Sequence, residues 1–261
     1  MLRIANLKLP LDAGPDAPLL LALKKLRVPR EQVVSWHVSK KSVDARDKGD
    51  VHFVVAVDVA LKSESAVLHS LRPGIAVQAP TPSAPPRLIA PPRGMRPVIA
   101  GFGPGGLFAA LTLARAGLRP IVLERGERVD QRAQTTSAFA GGGPLNPESN
   151  IQFGEGGAGA FSDGKLTTGI KDRRCQLVLR ELAEHGAPEE ICYEARPHIG
   201  TDRLPKVVAA IREEILALGG EVRFSTRLTT LKTRAGSLTA VEYQSREEKG
   251  EIETDALIVA I

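Results

Sequence analysis

Apolar and polar positions change their period several times along this chain, and those changes predict its elements. LRIANLKLPL, beginning at Leu2, alternates as a strand does, with Leu2, Ile4 and Leu7 as its apolar positions. DAPLLLALKKL then sets Leu19, Leu20, Leu23 and Leu26 at helical spacing behind Asp16, a candidate N-cap. VVSWHVSKKSVDA and VHFVVAVDVAL read as two strands joined by RDKGD, a turn rich in residues that tolerate positive φ. SESAVLHSLR reads as a second, short helix and GIAVQA as a last strand. The order β-α-β-β-α-β predicts a small ferredoxin-like domain over residues 1–79. Many activities use that scaffold, so by itself it says little about function.

The pattern breaks between Ala79 and Pro97, where APTPSAPPRLIAPPRGMRP holds seven prolines. Proline supplies no N–H to a ladder or helix, so residues 80–97 read as an extended, semi-rigid linker. The linker is followed by PVIAGFGPGGLFAALTLARAGLRPIVLERG, which reads as strand, tight turn, helix and strand. Gly101, Gly103 and Gly106 have the GxGxxG spacing, with Pro104 and Gly105 inside the turn. Gly101 permits the sharp exit from the strand, and Gly103 has no side chain to block a pyrophosphate. Gly106 and Ala110 let the helix lie close to the strands, and the helix N-terminus offers free N–H groups to anionic oxygens. Glu124 ends the second strand, where such folds place an acid for a ribose 2′-hydroxyl. A carboxylate there opposes a 2′-phosphate, whereas the neighbouring Arg125 pulls the other way. The residues predict a bound dinucleotide and a Rossmann-like domain over 98–261.

The next segment does not run directly into another helix and strand. GERVDQRAQTTSAFAGGGPLNPESNIQFGEGGAGAFSDGKL is dominated by glycine, and such a loop can press its backbone N–H groups against a flat cofactor. Phe153, Phe161, Asp163 and Lys165 within it favour an ordered loop over a flexible lid. DRLPKVVAAIREEILALGG then reads as an amphipathic helix with Leu204, Val207, Val208, Ile211, Ile215 and Leu218 on one face. Thr201 or Asp202 is its candidate cap, Pro205 lies in its first turn, and Gly219 and Gly220 end it. EVRFSTRLTTLKT, LTAVEYQSR, EIETD and ALIVAI read as further strands.

Charge and cysteine usage sharpen this picture. The net charge of +5 is uneven: residues 1–97 carry 15 Lys and Arg against 8 Asp and Glu, and residues 98–261 carry 20 against 22. Trp36, His37, Lys40, Lys41, Arg46 and Lys48 cluster near the first hairpin. They form either a polyanion-binding surface, RNA included, or a charged hairpin facing solvent; the single Trp favours the second reading. Cys175 and Cys192 have neither CxxC nor CxxxxC spacing, so they read as small core residues rather than a redox or metal pair. Two cysteines and no membrane-length apolar run predict a cytoplasmic protein without a membrane span, and no cluster has metal spacing. His198 in RPHIGTD is a candidate acid or base, while His185 reads as a helix C-terminal cap.

The ERG that ends the second strand, with ESNIQFGEGGAGAFSDGKL and RPHIGTDRLPKVVAAIREEI, resembles the bacterial FAD-dependent dehydrogenase family of the glutathione-reductase-like, two-dinucleotide-fold flavoproteins. The SKKSVDARDKGDVHFVVAVDV hairpin shares in the resemblance, which covers essentially the whole chain. The resemblance implies non-covalent FAD and an oxidoreductase whose small-molecule substrate is unknown. It places Gly101, Gly103, Gly106 and Glu124 at the FAD pyrophosphate and ribose, and Leu228 beside the adenine. Gly156, Gly157 and Gly159, with Ser162, Asp163 and Lys165, fall toward the flavin. Lys165 either stabilises negative charge on the reduced ring or is a surface lysine. NAD(P)H is a candidate donor, although no second dinucleotide motif supports it. The family continues past Ile261 with a glycine-containing turn, so the expectation is an FAD-binding domain incomplete at its C-terminus. The alternatives are an FAD-assisted RNA-modifying protein gripping RNA through the basic front domain, and a truncated binding module without turnover.

Overall fold

The computed structural model describes residues 1–81, 94–162 and 164–261, so most of the predicted linker and Asp163 lie outside the described residues. The chain forms two compact units of mixed α/β structure. One comprises Met1–Ser83, Leu166–Leu179 and Glu189–Pro197; the other comprises Ala84–Lys165, Arg180–Pro188 and His198–Ile261.

In the first unit β1 (Leu2–Leu9), α1 (Ala17–Leu26), β2 (Val33–Asp44), β3 (His52–Leu61), α2 (Glu64–Ser70) and β4 (Val77–Gln78) follow the predicted order. Their antiparallel sheet runs β2-β3-β1-β4. Leu2, Ile4, Leu7, Val55, Val57 and Val59 pack against Leu19, Leu23 and Leu26 of α1, and full burial of each such side chain is worth about 1.5–3 kcal/mol. Ile4 and Leu7 share the buried face although they are three positions apart. A register shift between them, with Asn6 at φ +54°, inserts the extra residue that makes this possible.

Two local expectations for this unit are corrected. Asp16 stands at the N-cap of α1, but its backbone is helical and its side chain caps nothing; the carboxylate instead meets Arg30 at 3.3 Å. Only Val77 and Gln78 of GIAVQA form a strand. The basic hairpin is partly neutralised within itself: Arg46 bonds Asp44 at 2.6 and 2.9 Å, and Lys41 lies 4.4 Å over the Phe53 ring. Lys40 and Lys48 are exposed, while Trp36 packs against the core.

The second unit is built on a parallel sheet of β5 (Val98–Ala100), β6 (Ile121–Leu123), β7 (Glu221–Arg223) and β11 (Leu257–Val259), in the order β11-β5-β6-β7. All residues of β5 and β6 are buried, which explains their unbroken apolar runs. α3 (Pro104–Arg115) connects β5 to β6, and α4 (Val129–Ala140) follows β6. After α5 (Cys175–Glu184), α6 (Leu204–Ala217) packs against α3. The hairpin strands β8 (Arg227–Arg234), β9 (Ser237–Gln244) and β10 (Lys249–Glu253) form a separate antiparallel sheet.

Three expectations change here. EVRFSTRLTTLKT is two strands, because Ser225 takes φ +50° and gives its N–H to Gly126, turning the chain out of the parallel sheet after β7. The helix α4 lies inside the segment expected to be loop; VDQRAQTTSAFA carries no apolar stripe, so its periodicity is invisible in sequence. In α6 the N-cap is Arg203 rather than Thr201 or Asp202, and Leu218 is the 40% exposed C-cap instead of part of the buried face. Arg212 is buried on that face. Neither Cys175 nor Cys192 is in a disulfide, and both are half-buried. His185 does bond its helix end, with Nδ1 2.6 Å from the Glu181 carbonyl oxygen, and its Nε2 lies 2.8 Å from Glu214. Among the described residues, no helix is long and apolar enough to cross a membrane.

Candidate functional site

β5 ends in the turn Gly101-Phe102-Gly103, whose first glycine has φ +99°. Its N–H donates to the Leu123 carbonyl at 2.8 Å, and an added Cβ would lie 2.4 Å from the Ala260 oxygen. Only a residue without a Cβ meets both demands. A Cβ at Gly106 would stand 1.9 Å from the Gly101 oxygen, so the first turn of α3 rests directly on the loop. Gly103 differs from both. The nearest atom to a Cβ there is the Gly157 Cα at 3.9 Å, so this glycine keeps a space open rather than avoiding a clash.

Glu124 extends from β6 into the same turn. It is 5% exposed, and its two oxygens accept the N–H groups of Phe102 at 2.6 Å and Gly126 at 2.7 Å. Each carboxylate oxygen can accept a further bond, so the acid retains capacity for a donor from a ligand. The residue predicted from its position at the strand end therefore has a second task, tying the glycine turn to the loop after β6.

These groups border a cavity of about 460 Å³. It brings together Gly101, Gly103, Pro104 and Gly105 from the turn, Glu124 and Arg125 from the end of β6, and the distant Gly157 and Leu228. Sequence reasoning missed Gln152, Phe153 and Arg227 on its walls, where Gly154 of the GEGGAG run also lies. Arg125 lies 4.8 Å over the Phe153 ring and bonds Glu148 at 3.0 Å. The cavity opens beyond Ala100 and Ala260, at the carboxyl ends of β5 and β11, where the strand order reverses direction. In open α/β sheets that is where ligands bind.

The glycine loop after α4 is ordered by buried charge. Arg132 is 0% exposed and donates to the carbonyls of Asn150, Ile151, Glu155 and Gly157 at 2.7–2.8 Å. Burial brings its guanidinium down to about 10. Glu155, also 0% exposed, accepts the Val129 N–H at 2.8 Å and Arg212 Nη1 at 2.7 and 2.8 Å. Burial pushes the Glu155 carboxyl up, against the opposing pull of the Val129 N–H and Arg212. The sequence offered two weak signals of this network. Glu155 is the one charged residue in GEGGAG, and Arg212 interrupts the apolar face of α6.

Among the described residues, Gly106, Gly156, Gly159, Ser162, Lys165 and His198 do not line the cavity. Gly106 and Gly156 are buried behind it, and Gly156 donates to the Phe102 carbonyl at 2.9 Å. Gly159 accepts from Ser162 Oγ at 2.9 Å. Lys165 and His198 are exposed and pair with each other as an isolated antiparallel bridge.

The open space at Gly103, the N-terminus of α3 and the acid at the end of β6 together fit a dinucleotide. Residues 96–160 match the family model described as FAD binding domain. Residues 1–60 match a domain of unknown function, DUF8436. An uncharacterized protein of Clostridium beijerinckii is 45% identical over 270 residues, a match that takes in 100% of this chain and 48% of the relative. The chain thus spans about half the length of that curated relative. Among solved structures, L-amino acid deaminase from Proteus vulgaris is similar at 14% identity and a TM-score of 0.41, covering 67% of this chain and 49% of that one. Glycerol-3-phosphate dehydrogenase from Bacillus halodurans, complexed with FAD, is similar at 13% identity and a TM-score of 0.40, covering 65% and 34%.

Proposed function

We propose that the second unit binds FAD in the cavity above the Gly101–Gly106 turn, and that the protein is an FAD-dependent oxidoreductase. The observation that carries this reading is the cavity itself. It sits where the strand order switches, with an open glycine at the helix N-terminus and a buried acid at the end of the next strand, inside the segment that matches an FAD binding domain. The diphosphate belongs at Gly103 to Gly106, the adenosine ribose at Glu124 and the adenine near Leu228. The flavin belongs toward Gly156, Gly157, Gly159, Ser162, Asp163 and Lys165.

In this reading the strand order β11-β5-β6-β7 is that of a Rossmann-like domain, and the order β2-β3-β1-β4 is that of a ferredoxin-like domain over residues 1–79. Bound FAD supplies a two-electron redox centre. The chain holds it in place, excludes water from the buried turn and supplies the electrostatics. Lys165 and His198 stand as candidates for acting beside the flavin, and NAD(P)H as a candidate electron donor for a small-molecule substrate. The likeness to glutathione-reductase-like flavoproteins belongs to the same proposal.

The test is Gly103→Val. A valine side chain occupies the open space above Gly157, so the variant should fold with unchanged thermal stability and lose stoichiometric FAD. Full retention of FAD by a folded Gly103→Val protein overturns the assignment.

A further inference from the structure

His185 stands directly after α5, with a side chain only 7% exposed. Both of its ring nitrogens meet oxygens. Nδ1 lies 2.6 Å from the Glu181 carbonyl oxygen, and Nε2 lies 2.8 Å from Oε2 of Glu214 on α6. A carbonyl oxygen can only accept, and so can an ionised carboxylate. The Arg115 guanidinium donates to both Glu214 oxygens, at 2.6 and 3.1 Å, and holds that carboxyl below its ordinary value. A neutral imidazole carries one N–H and can satisfy one of its two neighbours. An imidazolium satisfies both.

The surrounding charges agree with this. Those that meet here are Glu181 of α5, Glu214 of α6 and Arg115 of α3, which also donates to Glu181 Oε1 at 2.7 Å. Two carboxylates thus face one guanidinium. The second oxygen of Glu181 is buried without a hydrogen-bond partner among the described residues. With a neutral ring the group holds one negative charge in excess, whereas a charged ring balances it. An uncompensated charge in such a place is costly.

We infer that His185 is a pH-sensitive latch, which ties the end of α5 to α6 while its ring is charged and loosens as the ring loses a proton. The neutral ring has to give up either the Glu214 bond, which joins two helices, or the Glu181 bond, which holds the last turn of α5. Whichever bond remains, a lone pair on the other nitrogen faces an oxygen. The latch is therefore complete on the acid side of the ring's titration and weakened on the alkaline side. The same turn contains backbone reporters: the N–H groups of His185, Gly186 and Ala187 donate to the carbonyls of Glu181, Ala183 and Leu182 at 3.2, 3.0 and 2.9 Å. This latch is independent of the nucleotide assigned to the cavity.

Nitrogen NMR of the His185 imidazole follows its protonation from about pH 5.5 to 9, the range in which histidine titrates. Amide exchange of Gly186 and Ala187, corrected for the intrinsic rate at each pH, follows the latch in the same samples. Protection should fall about tenfold as the ring becomes neutral, the scale of one hydrogen bond to a charged group, and with the same midpoint. His185→Gln, whose amide does not titrate, should show flat protection over that range. Constant protection through the ring's titration overturns the inference, and so does an equal loss of protection in His185→Gln. A ring already neutral at the acid end of the range overturns it as well. Should His185→Gln fail to fold, agreement between the two wild-type midpoints upholds the latch and disagreement overturns it.

Discussion

The carboxylate of Glu124 accepts the N–H of Phe102 at 2.6 Å, joining the end of β6 to the glycine turn that follows β5. Its other oxygen holds the Gly126 N–H at 2.7 Å. The same acid therefore shapes the turn and faces the cavity beside it. Replacing it by alanine leaves two buried N–H groups without acceptors, at a cost of about 1–3 kcal/mol. We expect Glu124→Ala to lower the urea midpoint by a corresponding amount and to lose FAD. Unchanged stability would show that water or a neighbouring carbonyl replaces the carboxylate.

The Glu155–Arg212 pair gives a sharper contrast between single and double substitution. Both side chains are buried, and they meet at 2.7 Å. Arg212→Met strands the Glu155 carboxylate in the interior and should cost about 3–5 kcal/mol. The double variant Glu155→Leu, Arg212→Met removes both charges, so it should recover most of that loss. Urea denaturation of all four proteins measures the coupling; strictly additive losses would contradict it.

Glu214 should give the unit an acid limb. Hydrogen bonding to Arg115 at 2.6 Å, with further help from His185, holds its carboxyl below the ordinary value of 4.5. A folded-state value below the unfolded one means that the unfolded chain binds more protons between the two. The stabilisation is complete above 4.5 and is lost as the pH falls through the lowered folded value. Glu214→Gln should flatten the loss of thermal stability in that window, and an acid limb as steep as the wild type's would exclude Glu214 as its source.

In the first unit, Asn6 at φ +54° carries the irregularity that keeps Ile4 and Leu7 on one face. Asn6→Val places a β-branched residue in the left-handed region and should cost about 1–2 kcal/mol. Asn6→Gly should leave stability within a few tenths of a kcal/mol of the wild type. Equal effects of the two substitutions would mean that the backbone relaxes out of this conformation.

The residues that were legible in the sequence are those whose task is set by their own backbone. Gly101 and Gly106 have to be glycines for local reasons of φ and close approach, Gly103 keeps a space open beside them, and Glu124 follows from counting to the end of the next strand. In the front unit α1 carries a clean period of 3.6, whereas the alternation of β1 is broken by the irregularity at Asn6. What stayed hidden depends on partners far along the chain. Arg132 lies in a helix without an apolar stripe, and its role exists only because carbonyls some 20 positions later turn toward it. Arg212 looks like an exposed residue of an amphipathic helix until Glu155 is placed against it. The break between β7 and β8 rests on one residue, Ser225, whose positive φ nothing in EVRFSTRLTT announces.

The most direct test of the central claim is to identify the nucleotide that the purified chain carries. The protein would be examined by visible absorption, unfolded, and its released ligand separated by chromatography, with a second sample first reconstituted with FAD. The account predicts FAD at close to one per chain in the reconstituted protein, and its loss in Gly103→Val. A folded chain that takes up no flavin after reconstitution would contradict the assignment of the Gly101–Gly106 cavity.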